Sequence, residues 1–97
     1  MPLPEGLVAT ELFREPLVAV INASHPLAVA TEQGVHMASL APEPFVFFPR
    51  SYGSGLHAQL LSLARQAGFS PHFAQEAGEA MTIIGLVSAG LGVSVLP

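Results

Sequence analysis

From Phe45 to Leu96 the sequence alternates between strand-like and helix-like distributions of apolar residues, and this order restricts the fold more than any other feature. Residues 45–48 form a short apolar run of the kind a strand shows when both its faces are covered. Residues 49–54 then interrupt the run as a loop rich in turn-forming residues. Leu56, Leu60, Leu63, Ala64 and Ala67 recur at helical spacing, which predicts a helix over 55–67 with Ser54 as its N-cap and Gly68 at its stop. Residues 72–76 read as a strand and residues 93–96 as another. Between them, residues 79–90 read as a helix with Ile83, Ile84, Val87 and Leu91 on its core face. Glu79 falls in the first turn of that helix, where a carboxylate suits the dipole. Strand, helix, strand, helix, strand is the order produced by right-handed crossovers. The expectation is therefore an α/β fold with a small parallel-dominated sheet and helices on both faces.

The first forty residues are less regular. Residues 7–13 are a strand candidate, ended by Arg14, Glu15 and Pro16, and residues 17–22 are a near-continuous apolar run suited to a buried strand. Ser24, His25 and Pro26 make a loop, because the residue before proline is pushed out of the helical region. Residues 36–40 have room for one short helical turn. No tandem repeat or low-complexity tract is present. At 97 residues the chain is at most one domain. A chain of this size buries only about 60–65% of its unfolded surface. Because 51% of its residues are hydrophobic and only 10% are charged, some apolar surface is expected to be covered by a partner.

Composition also removes function classes. The three arginines, Arg14, Arg50 and Arg65, are scattered, there is no lysine, and the net charge is −4, which argues against a phosphate-backbone footprint. With no cysteine there is neither a disulfide framework nor thiolate chemistry. The N-terminus has no basic region followed by an apolar core, so no secretion signal is read there. Residues 80–97 carry no charge over a span-like length, yet Gly85, Gly90 and Gly92 divide them into a helix and a strand. A cytoplasmic, membrane-free protein is expected.

The loop before the first helix is the place where ligand chemistry concentrates. Gly53-Ser54-Gly55-Leu56-His57-Ala58 fits the dinucleotide pattern G-x-G-x-x-A, with Glu76 about twenty residues on. The four residues from Pro49 to Tyr52, however, separate the strand from the first glycine, where a pyrophosphate needs a tight turn. Two other readings stand side by side. In one, the helix start attracts a carboxylate and Arg50, Ser51 and Ser54 add donors. In the other, Ser54 caps the helix, the glycines turn the chain and Arg50 is solvated. A catalytic set is missing: G-x-S-x-G is absent, and no Asp or Lys is available to orient a base or form a Schiff base. His25, His36, His57 and His72 lack ligand spacing, so neither a metal nor another cofactor is expected, and Glu76 with Glu79 reads as a solvated pair.

Several segments resemble the effector-binding domain of LysR-type transcriptional regulators. They are Glu15-Pro16-Leu17-Val18 with His25-Pro26-Leu27-Ala28, then Pro44-Phe45-Val46, then Gly68-Phe69-Ser70-Pro71. The closing Gly85-Leu86-Val87-Ser88-Ala89-Gly90-Leu91-Gly92-Val93 with Leu96-Pro97 completes the series, in the family's order and over nearly the whole chain. The resemblance implies one lobe of a two-lobed, periplasmic-binding-protein-like domain, with residues 1–22 as hinge or crossing strands and 23–97 as the lobe. It also implies a fragment of a longer regulator whose DNA-binding part lies elsewhere, so that these residues touch no nucleic acid. A small, anionic organic effector would sit in a cleft between lobes, against Arg50, Ser51, Ser54, Gly55, Leu56 and Glu79, with Met81 nearby. Self-association is expected, including pairing of the strand edges at 7–13 and 93–96. The alternatives are a solute-binding protein lobe and a nucleotide-binding half of an enzyme.

Overall fold

The structure, a computed structural model, describes residues 5–28, 34–51 and 55–97. The first two strands, β1 (Leu7–Glu11) and β2 (Val18–Asn22), form an antiparallel hairpin in the register Leu7↔Asn22 to Glu11↔Val18. Its turn is fixed by the Leu12 N–H donating to the Leu17 carbonyl at 2.9 Å. Arg14 takes the left-handed conformation there (φ 62°), with its guanidinium 5.0 Å from the Phe13 ring centre. The predicted break at Arg14, Glu15 and Pro16 is this turn. Short 3₁₀ turns follow at Pro26–Ala28 and Met37–Leu40, the second within the predicted 36–40 segment.

The order of the second half matches the sequence pattern: β3 (Pro44–Phe47), α1 (Leu56–Gln66), β4 (His72–Glu76), α2 (Ala80–Ser88) and β5 (Ser94–Leu96). β3 and β4 pair in parallel, with an irregularity between Phe45 and Val46. Val93 adds a parallel bridge to Phe45 on the other side of β3, through the Val46 N–H to the Val93 carbonyl (2.8 Å) and the Val93 N–H to the Pro44 carbonyl (2.9 Å). One residue later the chain changes partner, and β5 runs antiparallel to β2 from Val20↔Ser94 to Val18↔Leu96.

The expectation of a parallel-dominated sheet is therefore corrected. The described strands form a parallel pair, β3–β4, and an antiparallel sheet of order β1-β2-β5. A helical connection favours parallel pairing, as between β3 and β4 on either side of α1. The short β1–β2 turn makes a hairpin instead. β3 is enclosed from both sides. The Phe47 ring centre lies 6.1 Å from that of His57 on α1, whereas Phe48 shares a cavity wall with Ala80 and Ile84 of α2. Phe45, Val46, Phe47 and Phe48 are all buried, which is why this segment carries no polar face.

The helix stripes need two corrections. On α1 the buried residues are His57, Leu60 and Ala64, while Leu56, Leu63 and Ala67 are half-buried. His57 belongs to the core because its ring stacks on Phe73 at 4.8 Å and 29°. On α2, Ile83, Ile84 and Val87 are buried as predicted, but Leu91 is 42% exposed. It lies beyond Gly90, whose left-handed conformation (φ 85°) turns the chain away from the helix face.

Candidate functional site

Both helices start at an N-cap residue that makes no side-chain capping bond, and both stop sealed. At the stops, the Gly68 N–H bonds the Arg65 carbonyl (3.1 Å) and the Phe69 N–H the Ala64 carbonyl (2.9 Å). In α2, Gly90 bonds Val87 (3.0 Å) and Leu91 bonds Leu86 (3.1 Å) in the same way. These are paired Schellman closures, each with glycine in the left-handed region followed by an apolar residue. At the starts the N-cap positions are Gly55 (φ 79°) and Glu79 (φ −131°, ψ 140°), and neither has a side-chain capping bond. Gly55 thus replaces the predicted Ser54 as N-cap, and Glu79 precedes α2 instead of lying in its first turn. Ser54 itself, with Tyr52 and Gly53, lies outside the described residues.

The two starts converge on one cavity of about 450 Å³. Leu56 contributes from the first residue of α1, and Ala80 and Ile84 from α2. Phe48, just past β3, forms one wall. The opposite wall is the antiparallel sheet: Ala9 of β1, Val18 and Val20 of β2, and Leu96 of β5, with Pro97 beside it. The cavity lies where the switch of Val93–Leu96 from β3 to β2 brings the two sheets together. A hollow of about 510 Å³ elsewhere is lined by Leu61, Arg65, Gly68, Phe69, Ser70 and Pro71. It sits at the stop of α1, the negative end of the helix dipole, which is the wrong end for an anion.

Of the sequence-predicted residues, Leu56 lines the cavity directly. Gly55 and Glu79 are the exposed residues immediately before the lining residues Leu56 and Ala80. Arg50 and Ser51 are exposed in the turn after β3 and do not line it, and Met81 is 54% exposed. Among the described residues of the 49–55 loop, Arg50, Ser51 and Gly55 are exposed, so none of these three is folded into the interior. Residue-by-residue reading missed Ala9, Val18, Val20, Phe48, Ile84 and Leu96, because an apolar lining residue has the same sequence signature as a core residue. Among the described residues no group of three or more His, Asp or Glu could hold a metal ion. None of the helices described is long and apolar enough to cross a membrane.

Residues 2–97 match the family model of the LysR substrate binding domain. The chain belongs to that family. Across 95 residues it is 54% identical to YnfL of Escherichia coli (strain K12), which bears the name of an uncharacterized HTH-type transcriptional regulator. The match covers 98% of this chain and 31% of that protein. In three dimensions it superimposes on the BenM effector binding domain with its effector benzoate. There the TM-score is 0.72 and the identity 28%, over all of this chain and 44% of that one. It also superimposes on the effector binding domain of QuiR in complex with shikimate. In that case the TM-score is 0.74 and the identity 27%, over 95% of this chain and 42% of that one. This LysR-type chain thus spans about a third of that curated relative and under half of those solved domains. Its relatives are transcriptional regulators, not enzymes, so the nucleotide-enzyme reading of the GSG loop finds no support.

Proposed function

We propose that this chain is the ligand-sensing lobe of a LysR-type transcriptional regulator, and that the 450 Å³ cavity is its share of the effector site. The convergence on an apolar cavity of two helix starts, whose N-cap residues Gly55 and Glu79 make no side-chain capping bond, carries this reading. Helix starts favour anions, and apolar walls hold the body of a small organic molecule. The effector is a small organic acid, in keeping with the benzoate and shikimate of the structural relatives.

Residues 1–22 act as the crossing strands, and 23–97 form the lobe. The other wall of the cleft, and the part that binds DNA, belong to the remainder of the regulator. Gly55 and Glu79, which immediately precede lining residues, and the loop residues Arg50, Ser51 and Ser54 would meet the acid when the lobes close. Closure shifts the population between two lobe packings and so changes the assembled regulator on DNA in the cytoplasm. Self-association uses the outer edge of β1 more readily than residues 93–96, whose Val93 is already bonded to β3.

A reporter-gene assay of the regulator carrying this segment tests the proposal. Leu56→Glu places a carboxylate on the cavity wall from a half-buried position. The response to the inducing acid should disappear while the far-UV circular dichroism of the variant stays that of the parent. A response that survives this substitution contradicts the assignment.

A further inference from the structure

The chemistry of the cavity walls goes further than the class of effector. We infer that the acid it accepts has a compact, unsubstituted hydrocarbon body, and that a ring acid bearing several hydroxyls is discriminated against. This rests on reading the cavity as the effector site. Val18, Val20, Phe48, Leu56, Ile84 and Leu96 surround the space, and the remaining lining residues are also apolar. Among the described residues, therefore, no lining side chain can bond a hydroxyl.

The backbone offers little more. β2, the strand at the centre of the far wall, pairs with β1 along one edge and β5 along the other, so its ladder groups are engaged on both sides. Ser94, opposite Val20 and so on the same face of the sheet, is fully buried and is not part of the lining. With the helix starts engaged by the carboxylate, a hydroxyl held against these apolar side chains would lose its water without gaining a side-chain partner from the described lining. The volume suits a six-membered ring with a carboxylate at the mouth, being well within the range of small-molecule sites.

The test uses two acids of the same skeleton, 1-cyclohexene-1-carboxylate and shikimate, which differ by three ring hydroxyls. Each is titrated into the methyl-labelled 97-residue chain, following the Leu56, Ile84 and Leu96 signals. The hydrocarbon acid should move these signals with a midpoint at least about tenfold lower than shikimate. Val18→Thr, an isosteric change on the half-buried end of β2, should narrow that ratio about threefold by supplying one hydroxyl. Equal midpoints, or shikimate the tighter, would overturn the inference and leave the effector site standing. If neither acid moves these methyls at tens of millimolar, or both move only signals elsewhere, the effector reading fails and the inference with it.

Discussion

The two ends of each helix are built to opposite specifications. At Gly68-Phe69 and Gly90-Leu91 the last carbonyls are bonded by the same two-bond closure, whereas at the starts the N-cap residues Gly55 and Glu79 make no side-chain capping bond. The sealed ends are structural. The starts lie beside the cavity, where a side-chain cap would compete with a ligand for the same N–H groups. Local rules are satisfied where only stability is at stake and relaxed where a second component is expected.

Substitutions at these ends sharpen the contrast, beginning with the exit of α2 into β5. Gly92 has φ 156°, and a Cβ there would stand 2.5 Å from the Pro44 carbonyl oxygen. Gly92→Ala should destabilise by about 3 kcal/mol or more, combining backbone strain with overpacking against β3. Urea unfolding measures this, and a loss under about 1 kcal/mol would mean the junction adjusts freely. Gly68 and Gly90 differ from Gly92 in having nothing within 4 Å of an added Cβ. Their alanine variants should each lose about 1–2 kcal/mol, from the left-handed backbone alone, and the two losses should agree. Unequal losses would show that the two closures are not equivalent.

The start of α2 predicts a change of opposite sign. Glu79 already has the extended backbone of an N-cap but not its side-chain bond. Glu79→Ser should therefore raise stability by about 0.5–1 kcal/mol in the same unfolding experiment. It should also weaken acid binding, and a variant that gains stability with undiminished binding would separate the open helix start from the site. Smallest of all is the effect expected at Ser94, whose hydroxyl is buried without a hydrogen-bond partner among the described residues. Ser94→Ala should leave stability unchanged or raise it by up to about 1 kcal/mol, because it removes an unpaired polar group.

How far the sequence announced this arrangement depends on which force fixes each part. The helix ends are legible at Gly68 and at Gly90, since a glycine followed by an apolar residue is a local signal. β3, α1, β4 and α2 were legible because their periods are set by burial on known faces. The pairing direction of β1, β2 and β5 was not, because strand partners are chosen by tertiary contacts that periodicity does not encode. His57 escaped the apolar stripe for a similar reason: only the fold reveals Phe73 beneath its ring. The loop chemistry drew attention to Arg50 and Ser51, and family resemblance pointed to Leu56. The apolar walls, from Val18 to Leu96, stayed hidden among ordinary core residues.

An isotope-filtered NOE experiment on the 97-residue chain with benzoate tests most directly whether the cavity is the binding surface. The ring protons should show contacts to the methyls of Leu56, Ile84 and Val18, with a millimolar binding midpoint, as the proposed sharing of the cleft with another part of the regulator requires. Contacts to Leu61 and Phe69 in the hollow at the end of α1, or submicromolar binding by this chain alone, would contradict the account.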